Sequence, residues 1–184
     1  MRRPLATAAA LAVSASVLGG CIDSKDPILT DSQPVFGERL QLSLYSLRDG
    51  KIRDDGEQAI FNWNGKLYHH TGGALDDMAG FSVHPFENGH YIIQTVPWDH
   101  ARGNEYAVMH PVPLVKGAYF LVAIDEEDAD AATRQANCLT ASQYSCRVSK
   151  REQLFALARA TAAKAHPSGG LAVQVLSEAP PKKP

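Results

Sequence analysis

The residues best suited to chemistry in this sequence are its histidines, because neutral imidazole is the commonest metal ligand in proteins. Six of the seven lie in one central stretch: His69, His70, His84, His90, His100 and His110. His84 and His90 flank an Asn88-Gly89 dipeptide and would meet across a hairpin, with His69 as a third candidate ligand. No two histidines show the i, i+4 spacing or the H-E-x-x-H pattern that fixes two ligands on one helix face. We therefore expect hydrogen-bonded or solvated histidines, and no metal or other cofactor.

Patterns typical of common enzyme nucleophiles are missing from the sequence. It contains no G-x-S-x-G elbow, no glycine-rich phosphate loop and no S-x-x-K motif. Carboxylates stand in expected loops, in the pairs Asp76-Asp77 and Asp99-His100 and at Glu105, where folding would have to assemble an acid–base pair. Because closeness in the sequence is weak evidence that these carboxylates form a catalytic site, we expect the protein to be non-catalytic.

The first twenty residues have the composition of an export signal. Met1-Arg2-Arg3 forms a basic start, Leu5 to Leu18 forms an apolar run, and Gly19-Gly20 supplies small residues before a cleavage point. The apolar run is shorter than the roughly 20 residues that a membrane-spanning helix needs. We therefore expect residues 1–20 to be a signal peptide that is cleaved off.

The residues at the expected cleavage point carry a more specific motif. Leu18-Gly19-Gly20-Cys21 resembles the lipobox of bacterial lipoproteins, in which the cysteine thiol carries a diacylglyceryl group. The resemblance implies acyl chains such as palmitate on Cys21, and two or more such chains hold a protein on a membrane stably. In lipoproteins of this type an aspartate after the cysteine favours the inner membrane, whereas Ile22 stands here. The resemblance therefore implies an outer-membrane anchor, with the protein facing the periplasm.

The two remaining cysteines are Cys138 and Cys146. If Cys21 carries lipid, they form an even pair in a compartment that permits disulfides. A metal pair or a reactive thiol is the alternative, but metal-binding cysteines usually occur as C-x-x-C, a spacing that is absent here. We expect a disulfide, whose short loop would stabilise the fold by about 2–3 kcal/mol.

Beyond the signal the chain divides into three parts. Residues 21–38 contain two prolines and no steady periodicity, which predicts a lipid-anchored flexible tether. Residues 39–178 repeat strand and turn patterns, which predicts a single β-rich domain. Residues 179–184 predict a disordered tail.

Strands within the domain are indicated by alternation and by turn dipeptides. The run from Leu40 to Leu44 alternates leucines with polar residues, as a half-buried strand does. Asp49-Gly50, Asn64-Gly65 and Asn88-Gly89 tolerate the positive φ that tight hairpin turns need. Together these patterns predict about seven strands in an antiparallel sheet or a partly closed barrel.

Two segments have helical patterns. Residues 125–136 begin with a carboxylate cluster, which is favourable at a helix N-terminus and lacks the spacing of a calcium loop. Ser149 to Glu152 forms a capping-box pattern before a helix with an alanine-rich apolar face. Leu171 to Leu176 would then return as an edge strand. The expected fold class is therefore α+β and mostly β, with a C-terminal helix.

Charge limits the classes of partner. Removal of Arg2 and Arg3 leaves 16 basic against 20 acidic residues, a net charge of −4, which provides no basic surface for nucleic acid. The expected function is that of a binding or structural module of the bacterial cell envelope, held on the membrane by its lipid, with an envelope protein or component as its partner. The alternative is a periplasmic metal-binding protein or metal-dependent hydrolase that uses residues 69–110.

Overall fold

A computed structural model of the chain describes residues 22–53, 56–70, 78–97, 103–142, 145–164 and 169–178. The strands are β1 (Ile22–Ser24), β2 (Arg39–Arg48), β3 (Lys51–Ile52), β4 (Glu57–Trp63), β5 (Tyr68–His70), β6 (Met78–Pro85), β7 (Tyr91–Pro97), β8 (Asn104–Pro111), β9 (Ala118–Ala123), β10 (Thr140–Ser142), β11 (Ser145–Arg147) and β12 (Gly169–Glu178). The helices are α1 (Ala131–Asn137) and α2 (Arg151–Ala162), with short 3-10 turns at Glu87–Gly89 and Glu126–Asp128.

Eight of these strands close into an antiparallel barrel. Their order around the barrel is β2, β4, β5, β6, β7, β8, β9 and β12, and β12 pairs with β2 to complete the circle. This is an up-and-down arrangement, because strands that are neighbours in the wall follow one another along the chain. Outside the barrel, β1, β11 and β10 extend the sheet from the start of β8. The predicted mostly-β fold with an antiparallel sheet and a helix towards the C-terminus is confirmed, and the barrel is fully closed.

Hairpin turns occur at all three predicted dipeptides. Asp49-Gly50, between β2 and β3, has φ values of 51° and 69°. Asn88-Gly89, between β6 and β7, has φ values of 55° and 77°. In Asn64-Gly65 the glycine has a φ of 94°, and the asparagine Oδ1 accepts from the backbone N–H groups of Lys66 and Leu67. These residues tolerate left-handed backbone, which is why the local sequence located the turns correctly.

One hydrophobic core lies inside the barrel. Its buried members are Phe36, Leu40, Leu42, Ala59, Phe61, Tyr68, Phe81, Val83, Ile93, Ala107, Met109 and Val173. Successive strand residues point to opposite faces, so the alternation of leucines that begins at Leu40 places one row inside. The inward rows of the other strands complete this core.

A second core lies between the outer face of the barrel wall and α2. Ile92 on β7 and Tyr106 and Val108 on β8 belong to it, together with Leu154 and Leu157 of α2. All five side chains are almost wholly buried. Because β7 and β8 are covered on both faces, their sequences are apolar at consecutive positions instead of alternating.

Residues 22–38 differ from the expected flexible tether, because they pack against the barrel. Strand β1 pairs with β8 and β11 and buries Ile22 completely. Further along, the side-chain amide of Gln94 accepts from the N–H groups of Ile28 and Leu29 and donates to the Leu29 carbonyl. A segment whose backbone bonds to distant side chains needs no periodic pattern of its own, which explains why the sequence resembled a spacer.

The expected edge strand at Leu171 to Leu176 is the strand that closes the barrel. It lies within β12, which pairs with β2 on one side and with β9 on the other. Local sequence shows that a segment is apolar and extended, but long-range hydrogen bonding decides whether it ends a sheet or lies within it. The edge assignment was therefore wrong.

Both helical predictions are correct in place but shifted in their boundaries. Residues 125–136 form a 3-10 turn followed by α1, which Asp130 caps with its side chain. Helix α2 begins one residue later than the capping-box pattern suggested. There the side chain of Gln153, and not that of Glu152, accepts from the N–H of Lys150.

Cys138 and Cys146 form the predicted disulfide, with their sulfur atoms 2.03 Å apart. Cys138 directly follows α1, and Cys146 lies in β11 with its side chain buried in the outer core. The bond therefore joins the end of α1 to β11, which is part of the sheet extension that also contains β1. Cys146 lies a few residues before the start of α2.

Replacement of both Cys138 and Cys146 by serine should lower the free energy of unfolding by roughly 2–4 kcal/mol, because the bridge restricts the unfolded chain and Cys146 is buried. Urea unfolding without reductant measures the loss, and the unaltered protein unfolded with reductant should show a similar loss. Two freely alkylated thiols in the unreduced, folded protein would contradict the disulfide.

Gly80 marks a place where the barrel wall depends on the absence of a side chain. It lies at a register irregularity in β6 with a φ of 153°, and a Cβ there would overlap the backbone carbonyl oxygen of Tyr68 on β5. Gly80→Ala should lower the free energy of unfolding by about 1–3 kcal/mol, since backbone in a neighbouring strand cannot easily move away. Gly89→Ala is the control, because its φ of 77° is also positive but its Cβ would meet open space. Equal losses in the two variants would show that φ alone sets the cost.

Candidate functional site

A cavity of about 100 Å³ lies inside the barrel. Its lining residues are Phe36, Leu40, Leu42, Leu44, Phe61, Phe81, Val83, Ile93, Thr95, Met109, Leu121, Leu171 and Val173. Apart from Phe36, they stand at inward positions on seven of the eight barrel strands. None of these described lining residues carries a titratable side chain, so the cavity offers apolar contact and not acid–base chemistry.

Among the described lining residues, the one polar residue, Thr95, is hydrogen-bonded to the barrel wall. Thr95 Oγ1 donates to the backbone carbonyl oxygen of Glu105 on the neighbouring strand β8, at 3.3 Å. Its hydroxyl proton is therefore engaged within the sheet. An apolar cavity of this kind favours apolar guests, because water would find few hydrogen-bond partners there.

Phe36 closes one end of the cavity. Its ring makes edge contacts with the rings of Tyr91 and Tyr119, at centroid distances of 5.3 and 5.8 Å. The backbone around it is fixed by Tyr68, whose hydroxyl accepts from the Phe36 N–H and donates to the Gly37 carbonyl. This end is a packed aromatic floor.

Leu44, Thr95 and Leu171 line the opposite end of the cavity. The antiparallel registers place all three towards the barrel end at which β2 finishes and β12 begins. Residues 54–55, 71–77, 98–102 and 165–168, which belong to connections at that end, lie outside the described residues. The apolar lining therefore runs from the Phe36 floor to this second end.

Among the described residues, His84 does not join a cluster of metal ligands. It lies on β6 with 2% of its surface exposed, and its Nε2 hydrogen-bonds the Ser82 hydroxyl at 2.8 Å. The pKa of His84 is lowered to about 4, mainly by burial and also by the nearby charge of Arg151, while the charge of Asp31 acts in the opposite sense. The imidazole is therefore neutral at pH 7 and belongs to the buried outer wall of the barrel.

His90 lies beside His110 and not beside His84. The His90 and His110 rings are 5.0 Å apart, and His90 Nδ1 donates to the carbonyl of Glu87 within its own turn. Burial lowers the pKa of His110 to about 4, and its Nε2 is buried with no hydrogen-bond partner among the described residues. The predicted hairpin is real, but its two histidines do not form a ligand pair.

The third candidate ligand, His69, lies on β5 and has a buried Nδ1 that makes no hydrogen bond within the described part of the chain. In the ranges that the structure describes, one group of three possible ligand atoms lies within 4.8 Å: Glu126, Cys138 and Cys146. Both sulfurs are consumed by the disulfide, so this group cannot act as a ligand set in the oxidised protein. Burial raises the pKa of Glu126 there.

Several predicted residues cannot be compared with the structure. Cys21, Asp76-Asp77, Asp99-His100 and the tail at 179–184 lie outside the described residues. Glu105, expected in a loop, lies instead in β8, where it pairs with Asp23 of β1 and with Thr95 of β7.

The cavity was missed by reasoning from the sequence because its lining has no distinctive residue type. Leucine, valine and phenylalanine at inward positions predict a packed core equally well. The one available signal was the alternation that starts at Leu40. It shows which side chains face inward, but it does not show whether those side chains fill the lumen.

Comparisons with known proteins find no relative: no family model matches the sequence, and no curated protein or solved structure is significantly similar to it. Within the described ranges, neither helix is long and apolar enough to cross a membrane.

The two buried histidines predict that stability depends on pH. His84 and His110 have pKa values of about 4 in the folded protein, below the 6.5 of an ordinary histidine, so the unfolded chain binds more protons between these values. The free energy of unfolding should therefore fall as the pH drops from about 6.5 towards 4, by up to about 1.4 kcal/mol per pH unit for each histidine.

Urea unfolding at a series of pH values measures this slope. His84→Gln and His110→Gln should each reduce it, whereas His70→Gln, which alters a half-buried imidazole on β5 outside this pair, is the control. An unchanged slope in the double variant of His84 and His110 would contradict the assignment.

Proposed function

We propose that this chain is a lipid-anchored protein of the bacterial cell envelope, in which the barrel is a non-catalytic binding module. Cys21 carries the lipid, the outer membrane holds the anchor, and the barrel faces the periplasm. The binding role rests on one observation, the cavity lined by apolar side chains inside the closed barrel.

The size of the cavity favours binding over simple packing. An eight-stranded barrel is just wide enough to be filled by side chains or to hold one small ligand. Unfilled space costs stability, at about 24 cal/mol per Å³, so a cavity of about 100 Å³ costs roughly 2 kcal/mol. Larger inward side chains at positions such as Val173 would remove that cost. Retention of the space is therefore typical of a site that a ligand fills.

The position of β1 supports a short connection between the proposed anchor and the barrel. Ile22 directly follows Cys21 and is buried between β8 and β11. A lipid on Cys21 would therefore lie one residue from the barrel wall, so the module would rest against the membrane instead of hanging from a long spacer.

Cys21→Ser should abolish lipid attachment, because serine has no thiol to carry the diacylglyceryl group. We expect the variant to incorporate no labelled palmitate and to leave the membrane fraction or remain unprocessed. The Cys138→Ser/Cys146→Ser variant is the matched control and should keep its label. Undiminished palmitate labelling in Cys21→Ser would refute the proposed anchor.

A further inference from the structure

We infer that the cavity binds the end of a single unbranched hydrocarbon chain, inserted with its methyl end towards Phe36 and its polar head outside the lumen. This inference rests on the proposed function and names the ligand class for the same site. The source of the chain is either a free fatty acid or the acyl chain of a membrane phospholipid.

The dimensions of the cavity favour a chain over a compact molecule. Its lining extends along β2 from Leu40 to Leu44, about 13 Å of strand at the usual rise per residue. Lining residues on β6, β7 and β12 follow the same direction, so the apolar lining is elongated along the strands, around a volume of about 100 Å³. A flexible hydrocarbon chain fits a narrow space, whereas a rigid ring system needs greater width.

The polarity of the lining excludes the head group from the lumen. Twelve of the thirteen lining residues are apolar, and the hydroxyl proton of Thr95 is already donated to the wall. A carboxylate or phosphate placed there would lose its hydration without gaining a hydrogen-bond donor, which strongly opposes its entry. Methylene groups lose nothing polar on entry.

The packed end of the cavity sets the direction that we propose for the chain. At one end the Phe36 ring packs on Tyr91 and Tyr119, and Tyr68 holds the backbone beneath it. The methyl end of the ligand would contact this floor. The head would leave by the end near Leu44, Thr95 and Leu171.

The experiment uses the full chain in isolated membranes and two photoreactive fatty acids. One carries a diazirine near its methyl end, and the other carries it near its carboxyl group. After irradiation, peptide mass spectrometry maps the labelled residues. We expect the first probe to label Phe36, Leu40 and Met109, and the second to label the region of Leu44, Thr95 and Leu171.

Two lumen variants and one control test whether the label lies inside the barrel. Val173→Phe and Leu42→Phe fill the cavity and should reduce labelling about tenfold, which corresponds to ~1.4 kcal/mol of lost affinity. Leu176→Phe is the matched control, because Leu176 lies on the same strand as Val173 but is 45% exposed, and its labelling should be unchanged. Thermal unfolding of each variant shows whether the barrel still folds.

The map of the unaltered protein decides the matter even if the filled variants do not fold. Identical labelling by both probes, or label confined to exposed apolar residues such as Leu114 and Leu139, would overturn the inference. A third arm with a phospholipid bearing the same photoreactive chain distinguishes the two sources of the ligand. If the lumen is not photolabelled but Cys21 still incorporates palmitate, only the proposed ligand class is refuted. If the lumen is photolabelled but Cys21 incorporates no palmitate, only the proposed anchor is refuted.

Discussion

Closure of the barrel by β12 is the constraint on which the rest of the structure depends. This strand comes last along the chain, yet it lies between β2, the first barrel strand, and β9. Its hydrogen bonds remove the two free edges that the barrel wall would otherwise have at β2 and β9, and they bring inward residues from both ends of the chain into one lumen. Without that closure, Leu171 and Val173 would not face Leu42 and Leu44, and the apolar cavity would not exist.

The outer wall depends on a different kind of interaction, a small buried polar network. The hydroxyls of Ser24 and Tyr106 share a hydrogen bond of 2.5 Å, and Gln94 binds the backbone at Ile28 and Leu29. Buried polar groups are costly unless they are paired, so this network fixes one position for the N-terminal segment. It brings the residue that follows Cys21 against the barrel, which connects the proposed anchor to the proposed binding site.

The candidate site is built from apolar residues and not from the histidines that the sequence first suggested. His84 and His90 attract attention because imidazole binds metals, but each is separately hydrogen-bonded, His84 to Ser82 and His90 to Glu87. The candidate site consists instead of residues that are individually ordinary. Sequence spacing alone cannot distinguish a filled core from a cavity, because the difference depends on side-chain volumes summed over seven strands.

The sequence by itself determined the hairpin turns, the general positions of the helices and the pairing of Cys138 with Cys146. The turns and helices depend on local backbone preference, which acts over short distances. The pairing follows from a count of the cysteines. Only the tertiary structure decided that the barrel closes, that residues 22–38 pack against it and that β12 is central. Those features depend on hydrogen bonds and contacts between residues far apart in the chain, such as Gln94 with Leu29. A local sequence pattern does not identify such distant partners, so the lumen and its floor at Phe36 could be found only from the folded structure.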